Sequence, residues 1–282
     1  MKRIESRLPR EQYDAIKAVS VTRLKELKRS PQHYAHFLEH PKRTDALTLG
    51  TATHVAVLEP ERFSKDFAIW NRRTEADAMA PRRGKAWDEF CNEHAGKTIL
   101  TADEATLAND IAKAVRFDET ANAYLASGDP EVTLEWDGWL ERACKGRVDW
   151  VTTSHGHPTL VGLKTARDCR PFIFGAQAAK LEYGMQWAFY HDGYEAITGK
   201  SARMIEIVVE SAPPHAVATY AICEDIILQG RDNYRDMLKL LLECECNGEW
   251  PGPVKGEQVL TLPSWYYPST EDISELDLEP IR

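Results

Sequence analysis

The chain has 282 residues, of which 43% are hydrophobic, 28% charged and 9% aromatic, with eight Trp. That composition suits a soluble globular protein with a sizeable core and excludes collagen-like, disordered and small disulfide-framework chains. The formal net charge of -9 argues against a histone-like DNA binder. Residues 1–43, however, carry eleven Lys or Arg against five Asp or Glu, so charge is distributed unevenly.

No run of about 18 apolar residues predicts a spanning helix, and the polar start MKRIESRLPREQYD does not read as a secretory signal. The six scattered cysteines then read as reduced thiols, and the expected location is cytoplasmic, in a bacterial or phage-infected cell.

In chain order, residues 10–39 predict two short helices, with Ser20 capping the first and Pro31 opening the second. TDALTLGTATHVAVLE, residues 44–59, predicts a largely apolar helix ended by Pro60. Residues 70–85 predict an exposed basic loop holding Arg72, Arg73, Arg82, Arg83 and Lys85, and helices are expected over 86–95 and 102–127. Then the period changes. EVTLEWDGWL (131–140) and ERACKGRVDWVTT (141–153) alternate like paired strands; SHGHP turns the chain into a third, TLVGLKTA. A helix over 171–197, strands over 203–210 and HAVATYAIC, and an amphipathic helix over 224–246 follow. The acidic tail 269–282 is expected to be disordered. This order predicts an α/β fold: one domain, residues 1–268, with a central mixed sheet flanked by helices and a helical N-terminal part.

Chemistry concentrates between residues 131 and 190. Asp149 in GRVDW and Lys164 in VGLKT fall on consecutive strands, which can bring a carboxylate and an ammonium into one site. A carboxylate can hold Mg2+, and a lysine can orient water or stabilise charge on a phosphoryl oxygen. Alone, such a pair more readily reads as an ion pair at a sheet edge.

The segments GTATHVAVLEPERF, EVTLEWDGWLERACKGRVDW, TLVGLKTARDCRPF and YGMQWAFYHDGY occur in this order and together resemble the RecB-like branch of the PD-(D/E)xK nucleases. The likeness is to exodeoxyribonuclease VIII, the RecE-type phage recombination exonucleases, and spans roughly residues 15–255. It implies a restriction-endonuclease-like core and a metal-dependent exonuclease that digests one strand of linear double-stranded DNA, 5′ to 3′. Mg2+ (or Mn2+) is the implied cofactor.

Carried over residue by residue, the resemblance makes His54, Glu131 and Asp149 metal-associated, with Glu135 a rival to Glu131. It makes Lys164 the motif lysine, and Gln186 and Tyr190 the Q-x-x-x-Y pair. It implies a ring-shaped homo-oligomer, a tetramer or else a trimer, and permits a single-strand annealing protein as partner. Phosphate contacts are expected from Arg72, Arg73, Arg82, Arg83 and Lys85.

One position departs from the family pattern. Gly162 stands where the motif carries its second metal-binding carboxylate. The reading adopted is an inactivated or impaired nuclease; a naturally non-catalytic DNA-binding or scaffold member is the alternative. Cys244 and Cys246 are too few for an iron–sulfur cluster, His155, His157 and Cys169 fit no zinc spacing, and no P-loop predicts ATP use. Bland readings stay open for His54 as a core histidine and for Gln186 and Tyr190 as a buried pair. Trp136, Trp139, Trp150 and Trp187 are assigned to the core.

Overall fold

The structure is a computed structural model. It describes residues 2–40, 45–73 and 80–263, without the side chains of 45–47. The acidic tail therefore lies outside the described residues.

The chain opens with a short strand, β1 (Arg3–Glu5), and helices α1 (Arg10–Ala15), α2 (Val21–Arg29) and α3 (Pro31–Glu39). Pro31 occupies the first turn of α3, and the Ser30 hydroxyl accepts the His33 N–H there. Ser20 sits at the N-cap of α2 but its side chain caps nothing. Helices α4 (Asp45–Leu58) and α5 (Pro60–Asp66) meet at Pro60. Strand β2 (Phe67–Trp70), helix α6 (Lys85–Glu93) and strand β3 (Thr98–Thr101) come next; β2 and β3 form a small parallel sheet. Residues 102–127 are two helices rather than one. α7 (Ala102–Phe117) begins with a capping box at Thr101 and Glu104, and α8 (Glu119–Leu125) begins where Asp118 caps the Ala121 N–H.

Strands β4 (Asp129–Asp137), β5 (Ala143–Ser154) and β6 (His157–Ala166) form an antiparallel meander. The predicted helix over 171–197 is also split, into α9 (Pro171–Lys180) and α10 (Tyr183–Thr198). The break falls at Glu182, whose φ of +55° is left-handed although the residue is not glycine. This crossover lets β7 (Arg203–Glu210) pair parallel to β6, as a parallel neighbour requires. β8 (Val217–Ala221) and α11 (Glu224–Asn247) complete the fold. The main sheet has the order β1-β4-β5-β6-β7-β8.

Each face of the sheet carries its own core. On one side α2, α10 and α11 pack Leu24, Phe189 and Leu241 against Leu134, Trp136 and Val208. On the other, α4, α7 and α8 pack Ala52, Val57, Ile111 and Leu125 against Trp150, Val161, Leu163 and Ile207. This is the helix–sheet–helix layering expected of an α/β fold. Trp136, Trp150 and Trp187 are buried as expected, but Trp139 is exposed at the turn between β4 and β5.

Two of the close approaches that need glycine position α10. A Cβ at Gly230 of α11 would lie 2.1 Å from the Gly184 carbonyl oxygen of α10. One at Gly146 would lie 2.8 Å from the Tyr190 ring. The first holds α11 tightly to α10 and the second holds α10 to the sheet, and α10 carries Gln186 and Tyr190 among the candidate site residues.

Candidate active site at the sheet fork

The backbone pairing of β5 with β6 runs from the hairpin turn only to Trp150 and Val161. Just beyond, the Asp149 carboxylate enters the fork, and its Oδ2 accepts the Leu163 N–H at 2.8 Å. The pairing of β4 with β5 is interrupted at the same level. Pro130 pairs with Trp150 and Val132 with Val148, but Glu131 and Asp149 between them make no ladder pair. Side-chain alternation breaks here too: Val148 packs into one core and Trp150 into the other. Glu131 has a left-handed φ of +49°, and its carbonyl accepts the Arg7 N–H. A non-glycine residue so placed inside a strand is the kind of strain that surrounding structure must enforce.

His54 reaches the fork from α4. Ala52, Thr53, Ala56 and Val57 bury one face of that helix, and the half-buried His54 side chain leaves it toward Asp149, with Nδ1 3.7 Å from Oδ1. One ligand atom each from His54, Glu131 and Asp149 lies within 4.8 Å of the others. An imidazole nitrogen and two carboxylate oxygens so gathered are a fitting donor set for a divalent cation such as Mg2+ or Mn2+.

The charges agree with that use. Burial lowers the His54 pKa against the opposing pull of Asp149, so the ring is in its neutral, ligating form. Burial, and then the Asp149 charge, push the Glu131 carboxyl up to about 7, with Arg147 opposing. Burial also pushes Asp149 up, but Lys164, His54 and the Leu163 N–H outweigh it and hold the carboxyl below its ordinary range.

Lys164 stands between two carboxylates. Its Nζ is 3.6 Å from Asp149 Oδ2 and 3.5 Å from Glu206 Oε1. Burial disfavours its charge, yet Glu206 and Asp149 together raise its pKa above the ordinary lysine value, so it is an ammonium. Glu206, on β7, was not among the expected site residues. It pairs in register with Gly162, is 1% exposed, and receives the Trp187 indole N–H on Oε2. A Cβ at Gly162 would lie 2.5 Å from each Glu206 carboxylate oxygen. The place expected to lack a carboxylate at position 162 therefore contains one, contributed by the neighbouring strand. Lys25 of α2 is the other unexpected neighbour. It donates to Gln186 Oε1 at 3.0 Å and lies over the Tyr183 ring, and burial and then Lys164 lower its pKa to about 7.

The remaining expected residues divide. Gln186 faces Lys25, and Tyr190 packs over Gly146 near Asp149 and Lys164, its hydroxyl pKa raised by burial. Glu135 lies away from the fork, paired with Arg3 at 3.3 Å beside β1; four residues of strand put it about 13 Å along from Glu131. Arg72, Arg73, Arg82, Arg83 and Lys85 are exposed, as expected of the basic loop. Arg82 is engaged by Glu104 at 2.7 Å and Lys85 lies 3.7 Å from Glu89.

The fold and the family match place the chain in the PD-(D/E)xK class. The chain belongs to the family DUF3799, a PDDEXK-like domain of unknown function, whose model matches residues 20–259. Among solved structures it is similar to a "Putative exonuclease" from Eubacterium rectale, with 15% identity, a TM-score of 0.57, and coverage of 96% of this chain and 99% of that one. That likeness shows a shared fold. Two other structures align less well: SSO0001, with 19% identity over 40% of this chain and 50% of that one and a TM-score of 0.26, and VC1899 from Vibrio cholerae, with 14% identity over 86% and 58% and a TM-score of 0.22. No curated protein matches the chain. Among the described residues no helix is long and apolar enough to cross a membrane.

Proposed function

We propose that the chain is a metal-dependent deoxyribonuclease that removes one strand of linear double-stranded DNA from an end, in the 5′ to 3′ direction. The observation that carries this reading is the convergence of His54, Glu131 and Asp149 donor atoms within 4.8 Å beside the Lys164 ammonium. Membership of a PDDEXK-like family supports nuclease chemistry.

His54, Glu131 and Asp149 would hold Mg2+ or Mn2+, and the bound ion would supply Lewis-acid polarisation of the phosphodiester. Lys164 acts as a fixed cation and hydrogen-bond donor toward an attacking water or a phosphoryl oxygen. Glu131 and Asp149 anchor the anionic side of the fork. Lys25, held by Gln186, offers a further hydrogen-bond donor on the α10 side. Arg72, Arg73, Arg82, Arg83 and Lys85 would contact the DNA backbone, giving sequence-independent, salt-sensitive binding.

A homo-oligomeric ring, a role in phage-type recombination and an annealing-protein partner belong to the same proposal and rest on the sequence resemblance. Light scattering on the purified chain tests the ring.

The deciding assay is digestion of linear duplex, labelled at the 5′ or the 3′ end, with Mg2+ or Mn2+, beside the same DNA as a closed circle. Metal-dependent loss of label from linear DNA alone is expected, with the label order reporting polarity. No hydrolysis under any of these conditions defeats the proposal.

A further inference from the structure

We infer that Glu206 is the second carboxylate of this site, delivered from β7 into the space above Gly162, so that the chain has its carboxylate pair without any change at position 162. The inference deepens the nuclease reading and rests on it.

Three independent features point to this. The first is steric. β6 and β7 are parallel, with Gly162 opposite Glu206, and the carboxylate leans across the strand gap into the volume where a side chain at 162 would begin. Both oxygens would stand 2.5 Å from a Cβ there, closer than real Cβ atoms approach their neighbours. Glu206 as placed and an aspartate at 162 exclude each other. Gly162 is thus the residue that makes room for this carboxylate. The sequence alone shows only that a ligand is missing.

The second feature is the company Glu206 keeps. Lys164 is flanked by Asp149 Oδ2 at 3.6 Å and Glu206 Oε1 at 3.5 Å. That is the aspartate, carboxylate and lysine trio of the motif, with the middle member moved one strand over.

The third is a half-met carboxylate. Trp187 donates to Glu206 Oε2, whereas the buried Oε1 accepts no close hydrogen bond and has the Lys164 ammonium at 3.5 Å. Glutamine would hold Trp187 without burying a charge, so the carboxylate is there for its charge: it faces the Lys164 ammonium on the fork side, where a bound ion would add a second positive partner.

The test measures Mn2+ binding to the full chain, by the electron paramagnetic resonance of free Mn2+, alongside hydrolysis of linear duplex. Glu206→Gln keeps an acceptor for Trp187 and removes the charge. It is expected to weaken Mn2+ binding roughly 10- to 100-fold, the range found for carboxylates that support metal ligands, and to slow hydrolysis at least as much, with an unchanged circular dichroism spectrum. Gly162→Asp alone is expected to lose binding and activity. Gly162→Asp combined with Glu206→Ala returns a carboxylate to the motif strand and is expected to recover at least tenfold over Gly162→Asp alone. This pair also decides the matter if Glu206→Gln fails to fold.

Wild-type binding and rate in Glu206→Gln, while Asp149→Asn loses both, would reduce Glu206 to a structural counterion and leave the nuclease reading standing. A Gly162→Asp protein more active than the wild type would overturn the inference in favour of a disabled nuclease. Neither binding nor hydrolysis in any of the proteins would defeat the nuclease reading and the inference with it.

Discussion

Asp149→Asn is the perturbation that most directly probes the fork. The change is nearly isosteric, and an amide oxygen can still accept the Leu163 N–H, 2.8 Å from Oδ2 in the structure. What disappears is one anionic donor of the three whose atoms lie within 4.8 Å. An ion that binds only the folded chain stabilises it by RT ln(1 + [ion]/Kd), about 2.7 kcal/mol at 100 times Kd. Losing a direct anionic ligand should raise Kd by at least roughly 100-fold, the upper end of what outer-shell changes cause. At the same ion concentration the variant then gains only RT ln 2, about 0.4 kcal/mol. The measurement is urea denaturation with and without Mn2+ at 100 times the wild-type Kd. Each protein is compared with its own metal-free form, so any loss from the Lys164–Asp149 pair cancels. An ion-induced gain in the Asn variant equal to that of the wild type would refute the assignment of His54, Glu131 and Asp149 as the metal site.

Other consequences follow from packing and charge. Gly230→Ala puts a Cβ 2.1 Å from the Gly184 backbone oxygen, which cannot swing aside, so α10 and α11 must separate; the upper part of the overpacking range, about 3 kcal/mol, is expected in urea denaturation. Asp192 joins the same helices: Arg231 reaches it at 2.6 and 2.7 Å and Tyr234 at 2.6 Å. Burial raises the Asp192 carboxyl, but the hydrogen bonds from Arg231, His191 and Tyr234 outweigh it and hold the group well below the ordinary range. A depressed folded-state pKa means the stabilisation is fully present above the unfolded value near 3.9 and is lost as pH falls through the folded value. Asp192→Asn should therefore cost about 2–3 kcal/mol at pH 7, with the difference from wild type shrinking below about pH 4; a gap that widens on acidification would contradict this sign. For the basic loop, Arg72, Arg83 and Lys85 changed together to Ala should flatten the slope of log affinity against log salt by about 0.9 for each phosphate that is no longer neutralised. An unchanged slope would take these residues out of the DNA path.

How much of the site could be read in advance depends on how each residue reaches the fork. Asp149 and Lys164 were legible because β5 and β6 are consecutive and joined by a tight turn, so their neighbourhood is local in sequence. His54 and Glu131 required the resemblance, since a helical histidine and an acid after a proline have common structural roles. The choice between Glu131 and Glu135 needed register: two acids on one strand separate into the fork and the Arg3 edge only once pairing is known. The short strands β1, β2 and β3 have three or four residues and carry no usable alternation. Glu206 was out of reach for a different reason. It comes to Lys164 through a parallel pair, whose register no turn dictates, after a crossover of two helices. Yet one local cue was present. In MIEIVVE the glutamate sits inside a run whose apolar neighbours Met204, Ile205, Ile207, Val208 and Val209 are all buried. A carboxylate in that setting is expensive unless something cationic awaits it. Only one lysine on the adjoining strand β6 could meet it, and that lysine was already marked by its motif. A glycine in the motif and an acid in an otherwise apolar strand are each odd alone. Together they are one arrangement, because the space vacated by the first is the space the second requires.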